Sequence, residues 1–149
     1  MKTLKRVFIQ VSFALALAFV LTGCDKDETV VQESELSAPA KAYLSTHFNG
    51  VAVTRIVKDR DDLVKEYEVV LANGVKLEFT EAGIVTSVKS TSQLPDSVIP
   101  ASLLAYAKAN YPNTVVTEWE LDVNDQEIQL SNGLELKFNL AGEFLRIDR

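Results

Sequence analysis

The spacing of apolar residues along this chain shifts from a helical period to a strand period, and the whole progression then happens a second time. Ala40, Tyr43, Leu44 and Phe48 fall on one face at helical spacing, which predicts a short amphipathic helix over residues 37–48. Ser37 offers an N-cap hydroxyl, Pro39 stands in the first turn where its missing N–H costs nothing, and Asn49-Gly50 ends the helix. From Ala52 the period drops to two. Ala52, Thr54 and Ile56 predict one set of side chains facing the helix, followed by Tyr67, Val69 and Leu71, then by Val75, Leu77 and Phe79. Asn73-Gly74 separates the last two runs and predicts a hairpin closed by a type I′ turn. Ala82-Gly83 makes the next turn, and residues 85–88 form a closing strand.

The second half restates this pattern. Glu68 to Phe79 (EVVLANGVKLEF) returns as Glu127 to Phe138 (EIQLSNGLELKF), with Ala82-Gly83 returning as Ala141-Gly142, all at an offset of 59. Upstream, Ala42-Tyr43 and Phe48 match Ala105-Tyr106 and Tyr111 at an offset of 63, so the first copy holds four extra residues between Lys58 and Lys65. The second helix spans Pro100 to Tyr111 and stops at Pro112-Asn113; Val115, Thr117 and Trp119 match the first inward set. Each copy is one helix followed by four antiparallel strands, an α+β unit.

A unit of about 55 residues has a marginal core, so the two tandem repeats are expected to join into one eight-stranded curved sheet with both helices on one face. Residues 36–90 form repeat 1, 91–97 a Ser/Thr/Gln-rich linker crossing the surface, and 98–149 repeat 2. The opposite face stays uncovered. Alternation places Lys76, Glu78, Gln129, Glu135 and Lys137 on it, with Glu68 and Glu127.

The N-terminus predicts destination. Lys2, Lys5 and Arg6 precede an apolar run from Val7 to Leu21, the layout of a secretory signal peptide over residues 1–23. Leu21-Thr22-Gly23-Cys24 resembles a bacterial lipobox, with Cys24 as the lipid acceptor; as the chain's sole cysteine it has no disulfide partner. Several acyl chains would hold such a protein stably on a membrane. Residues 24–35 read as a flexible tether, and Asp25-Lys26-Asp27-Glu28 resembles an export signal for the outer face of the outer membrane; a periplasm-facing anchor is the alternative. Losing Lys2, Lys5 and Arg6 takes the formal charge from −6 to −9, which argues against nucleic-acid partners.

A helix bearing Ala-Tyr and a terminal aromatic, then Leu-x-Asn-Gly-x-x-Leu-x-Phe and Ala-Gly, all duplicated behind a lipobox, resembles the PepSY-like, β-lactamase-inhibitor-like lipoproteins. The resemblance covers residues 36–149. It implies tandem α+β repeats on a curved sheet and, by analogy with the wider group, regulation of a peptidase or hydrolase; it implies no established activity. The secreted inhibitor carries disulfides, which this chain lacks.

Enzyme signatures are sparse. His47 is the only histidine and sits at a helix end beside Phe48, where a surface or capping role is expected; no Gly-rich phosphate loop and no His/Cys metal spacing occur. The run Asp59-Arg60-Asp61-Asp62 gathers oxygens as a calcium loop does but lacks an EF-hand's glycine and final glutamate, and Asp122, Asn124 and Asp125 stand at the matching place. Hairpin tips are ordinarily polar, so Arg60, Asp61 and Asp62 are candidates for partner contact rather than metal ligation. Trp119, matching Ile56, is expected in the core. The chain therefore predicts a protein that is not an enzyme, needs no cofactor and binds an envelope or extracellular protein or peptide. A small-ligand, glycan-fragment or cation binder is the alternative.

Overall fold

The first helix, α1 (Ala38–His47), begins as its sequence predicts. Ser37 Oγ accepts from Ala40 N at 3.4 Å, Pro39 lies in the first turn, and Phe48 N donates to Leu44 O at 2.9 Å. The second, α2 (Ala101–Asn110), starts at Pro100 with no side-chain cap. These elements belong to a computed structural model that describes residues 28–61 and 64–148. The signal segment, Cys24 and Asp62 lie outside the described residues, as do the side chains of Arg60 and Asp61.

The strands are β1 (Thr29–Val30), β2 (Val53–Asp61), β3 (Val64–Leu71), β4 (Lys76–Thr80) and β5 (Val85–Lys89), then β6 (Val116–Leu121), β7 (Asp125–Leu130), β8 (Glu135–Asn139) and β9 (Phe144–Asp148). All nine form one antiparallel sheet in chain order, β1 to β9. Eight strands were expected. The ninth comes from the segment read as tether: Val30 pairs with Val57, Val31 N donates to Ile56 O at 3.0 Å, and Leu36 is buried in the core. Pairing satisfies backbone groups that an exposed β2 edge would leave open.

The repeats join edge to edge through β5 and β6, where Ser87, Val88 and Lys89 lie opposite Glu120, Trp119 and Glu118. Ser90 N donates to Thr117 O and Leu94 N to Val116 O, both at 2.9 Å, so the linker is pinned along this joint with Leu94 buried. Directly paired residues of antiparallel strands share a face. The row Val69, Leu77, Val88, Trp119, Ile128, Leu136 therefore lies on one side, and every member is buried in a single hydrophobic cluster with Leu44 of α1 and Leu103 of α2. Tyr43 meets Phe79 edge-on at 5.8 Å, and its counterpart Tyr106 meets Phe138 at 5.4 Å. Both helices thus cover the same face.

Three local features depart from the sequence pattern. First, every positive φ among the described residues belongs to glycine, so the Asn-Gly turns are not type I′. Leu71 N donates to Val75 O and Gly74 N to Leu71 O, a three-residue loop in which only the glycine (φ 83°) is left-handed. Asn73 serves instead through its side chain, accepting from Val75 N at 3.2 Å, and Asn132 does the same for Leu134. Second, Thr54 and Thr117 do not face the helices. Each stands at a β-bulge, and each hydroxyl donates across the ladder, to Val70 O and Gln129 O. The extra residue shifts the alternation, so Val116 rather than Val115 is buried alongside Trp119. Third, the four extra residues of repeat 1 lengthen the β2–β3 arms, making strands of 9 and 8 residues against 6 and 6 in β6 and β7.

Candidate functional site: the uncovered sheet face

On the side away from the helices, register alone builds two rows across the sheet. One runs Val57, Glu68, Glu78, Ser87, Glu120, Glu127, Lys137, Arg146, each residue directly opposite the next. The other runs Arg55, Val70, Lys76, Lys89, Glu118, Gln129, Glu135, Asp148. Lys76, Glu78, Gln129, Glu135 and Lys137 all stand where alternation put them. Arg60 and Asp61 have their backbone in β2, opposite Lys65 and Val64, the last two rungs of the β2–β3 ladder, so they stand at the end of this hairpin.

Duplication makes the two ends of this face comparable position by position. In repeat 2, Lys137 Nζ lies 3.5 Å from Asp125 and 3.4 Å from Glu127, and its side chain is only 15% exposed. Burial opposes its charge, but the hydrogen bond to Glu127 and the fields of both carboxylates hold its pKa above the ordinary lysine value. Repeat 1 keeps both carboxylates, as Glu66 and Glu68, but places Glu78 where the lysine would be. Burial first, then the charges of Glu66, Glu68 and Glu118, push the Glu78 carboxyl upward, with Lys89 partly offsetting them. Glu120 is raised likewise by burial and by Asp122, Glu118 and Glu127.

A concavity of about 210 Å³ opens at this acid-rich end, lined by Glu28, Asp59, Glu66, Glu68 and Glu78, with Val57 and the cation Arg55. Asp59 opens the run singled out in the sequence, whereas Arg55 and Glu28 carry no such signal, because the bulge at Thr54 and the pairing of β1 decide which side they face. Nearer the joint, Lys89 pairs with Glu118 at 2.6 Å, and Gln129 Nε2 donates to Glu135 at 3.2 Å. Among the described residues no three His, Cys, Asp or Glu side chains are grouped to hold a metal ion. His47 lies on α1, away from this face: its ring packs at a tilt against Tyr43, with centroids 4.3 Å apart, and meets Ser97 Oγ at 3.0 Å, tying α1 to the turn before α2.

The fold and the face define a duplicated α+β protein with one open antiparallel sheet, built to present a broad polar surface. The chain belongs to the putative β-lactamase-inhibitor-like, PepSY-like family, whose sequence pattern matches residues 23–87 and again 65–146. Solved structures are similar over most of its length. One, described as a putative calcium-regulated periplasmic protein from Bacteroides thetaiotaomicron, is 34% identical with a TM-score of 0.79, over 83% of this chain and 98% of that one. A putative periplasmic protein from Bacteroides vulgatus is 35% identical with a TM-score of 0.79, over 85% of this chain and 100% of the other. Another from the same species, of unknown function, is 29% identical with a TM-score of 0.77, over 82% and 99%. No curated protein matches the chain.

Proposed function

We propose that this protein is a non-enzymatic binding module, anchored in the bacterial envelope through Cys24, whose uncovered sheet face receives a protein or peptide. The observation that carries this reading is the exchange of Lys137 for Glu78 between otherwise matching positions. In repeat 2 the carboxylates hold Lys137 between them; in repeat 1 five carboxylates share Arg55 around the concavity, an excess of negative charge that a cation from outside would balance. A lysine or arginine side chain of a partner meets that need, in keeping with a regulator that docks on a peptidase or hydrolase. Asp59, which lines this concavity, opens the run Asp59-Arg60-Asp61-Asp62, and Arg60, Asp61 and Asp62 follow as further candidates for partner contact. The periplasmic descriptions of the similar structures favour a periplasm-facing anchor over display at the cell surface.

A cation-binding role is the second reading, favoured by the calcium-regulated description of one similar structure. The carboxylates here border a wide concavity, a geometry better suited to an organic cation than to the 2.3–2.6 Å oxygen shell of calcium. One experiment separates the two. Binding of a fluorescent lysine-rich peptide to the full-length protein in detergent is measured by anisotropy, at low and physiological salt, for wild type and Glu78→Lys. The variant supplies the missing ammonium internally and is expected to lose about tenfold in affinity. Equal binding by both proteins would sink the peptide reading, and a melting shift in millimolar calcium that Glu78→Lys abolishes would establish the other.

A further inference from the structure

The two ends of the sheet are not equivalent. The middle of the β2 edge is covered by β1 at Val57 and Lys58, whereas β9 has no strand beyond it among the described residues. Its counterpart in repeat 1, β5, has its outer edge covered by β6. The difference is visible in one side chain: Val88 is 0% exposed beneath Trp119, while Ile147, at the matching position of β9, is 44% exposed. Leu145 beside it is half exposed as well. An apolar residue on an open edge strand is the feature that natural sheets normally suppress, because it invites another strand.

The geometry points to a second copy of this chain as the occupant, pairing β9 with β9 about a two-fold axis through Ile147. The register comes from the molecule's own joint. There, three consecutive β5 residues face β6 in antiparallel order, with Val88 opposite Trp119 and the flanking positions reciprocal. Setting a second β9 where β6 stands puts Ile147 opposite Ile147, and places Arg146 opposite Asp148 on both sides of the axis. The sequence Arg146-Ile147-Asp148 is therefore complementary to itself when run antiparallel. In the single chain these two charges close on each other, with Arg146 Nε 2.8 Å from Asp148 Oδ1. Across the axis the same four groups form two interchain pairs beside the intrachain ones, as Lys89 and Glu118 do within the joint at 2.6 Å.

Backbone polarity agrees with this register. Ser90 N donates to Thr117 O, so alternate residues of β5, including Val88, direct their N–H and C=O toward β6. By equivalence Ile147 directs its own outward, and a two-fold pair at that residue exchanges both bonds. The interface is isologous, so it closes at two copies and does not propagate into a fibre. It joins the two open faces side by side and takes from them only Arg146 and Asp148 at the β9 rim, at the opposite end from the concavity of repeat 1.

The test uses charge exchange in the full-length protein, in excess detergent, with oligomeric mass read by sedimentation velocity. Wild type is expected to show a concentration-dependent dimer. Arg146→Asp leaves two acids flanking Ile147, and Asp148→Arg leaves two bases, so each alone is expected to weaken association about tenfold or more. Mixed in equal amounts, the two variants restore the dimer as a heterodimer, an outcome no loss of folding imitates. Unchanged circular dichroism verifies the fold of each. A monomeric wild type at several hundred micromolar, a mixture no more associated than its parts, or dimers unaffected by either substitution overturns the proposal.

Discussion

At the scale of single residues, Glu78 is the position where the duplicated halves disagree most consequentially. Its counterpart Lys137 sits between two carboxylates, and exchanging ammonium for carboxylate there raises the Glu78 pKa through burial and three like charges. A carboxyl whose pKa is raised on folding keeps its proton to a higher pH in the native state than in the unfolded chain. Stability contributed by that group is thus present in acid and lost as pH rises through its native pKa. Glu78→Gln is expected to melt about 1–3 °C above wild type at pH 7, with the difference vanishing near about pH 4. A wild type that melts higher than the variant at pH 7 would contradict this assignment. Tyr43 shows the same burial effect without charge: its hydroxyl is buried without a hydrogen-bond partner and its pKa is pushed up to about 12.

Elements are where the sequence was most legible and also where it misled. Helix boundaries, the Ser37 cap and the hairpin positions follow from periodicity and capping chemistry, which act over a few residues. The turn geometry does not, because Asn-Gly suits both a type I′ turn and a three-residue loop, and strand twist beyond the turn chooses between them. The bulges at Thr54 and Thr117 escaped for a similar reason: a threonine at an apparently inward position carries no mark that it will be the unpaired residue. A further requirement lies hidden in the Ala-Gly turns. Gly83 and Gly142 have φ of 87° and 82°, and a Cβ on either would strike a helix N-terminus, at Ser37 and at Ser102. Gly133 shares the positive φ (84°) but has open space around it. Gly133→Ala is expected to cost about 1 kcal/mol, and Gly142→Ala about 2–4 kcal/mol, in urea unfolding. Equal losses would show that the turn–helix contact carries no energy.

For the whole molecule, duplication was legible and predicted that two small units would pool one core. What the sequence could not supply was the edge that joins them or the segment that covers the other end. Joint register depends on tertiary pairing between strands separated by the linker and α2, and β1 is only two residues long, with no periodicity to detect. Trp119 stands at that joint, buried opposite Val88, with its indole N–H donating to Gln126 Oε1 at 3.3 Å. Trp119→Ala therefore removes packing shared by both repeats and is expected to cost about 3–5 kcal/mol while unfolding remains a single transition by fluorescence-independent probes such as circular dichroism. Two resolved transitions would mean that the halves fold as separate bodies.

The strict succession of strands has a consequence for biogenesis. Among the described residues every ladder joins a strand to the one before it in the chain, with no crossover and no place between strands left for a later segment to fill. A polypeptide threaded outward through a translocation channel, leading end first, would find each docking site already waiting as the next strand emerges, so assembly can keep pace with export instead of deferring to its completion.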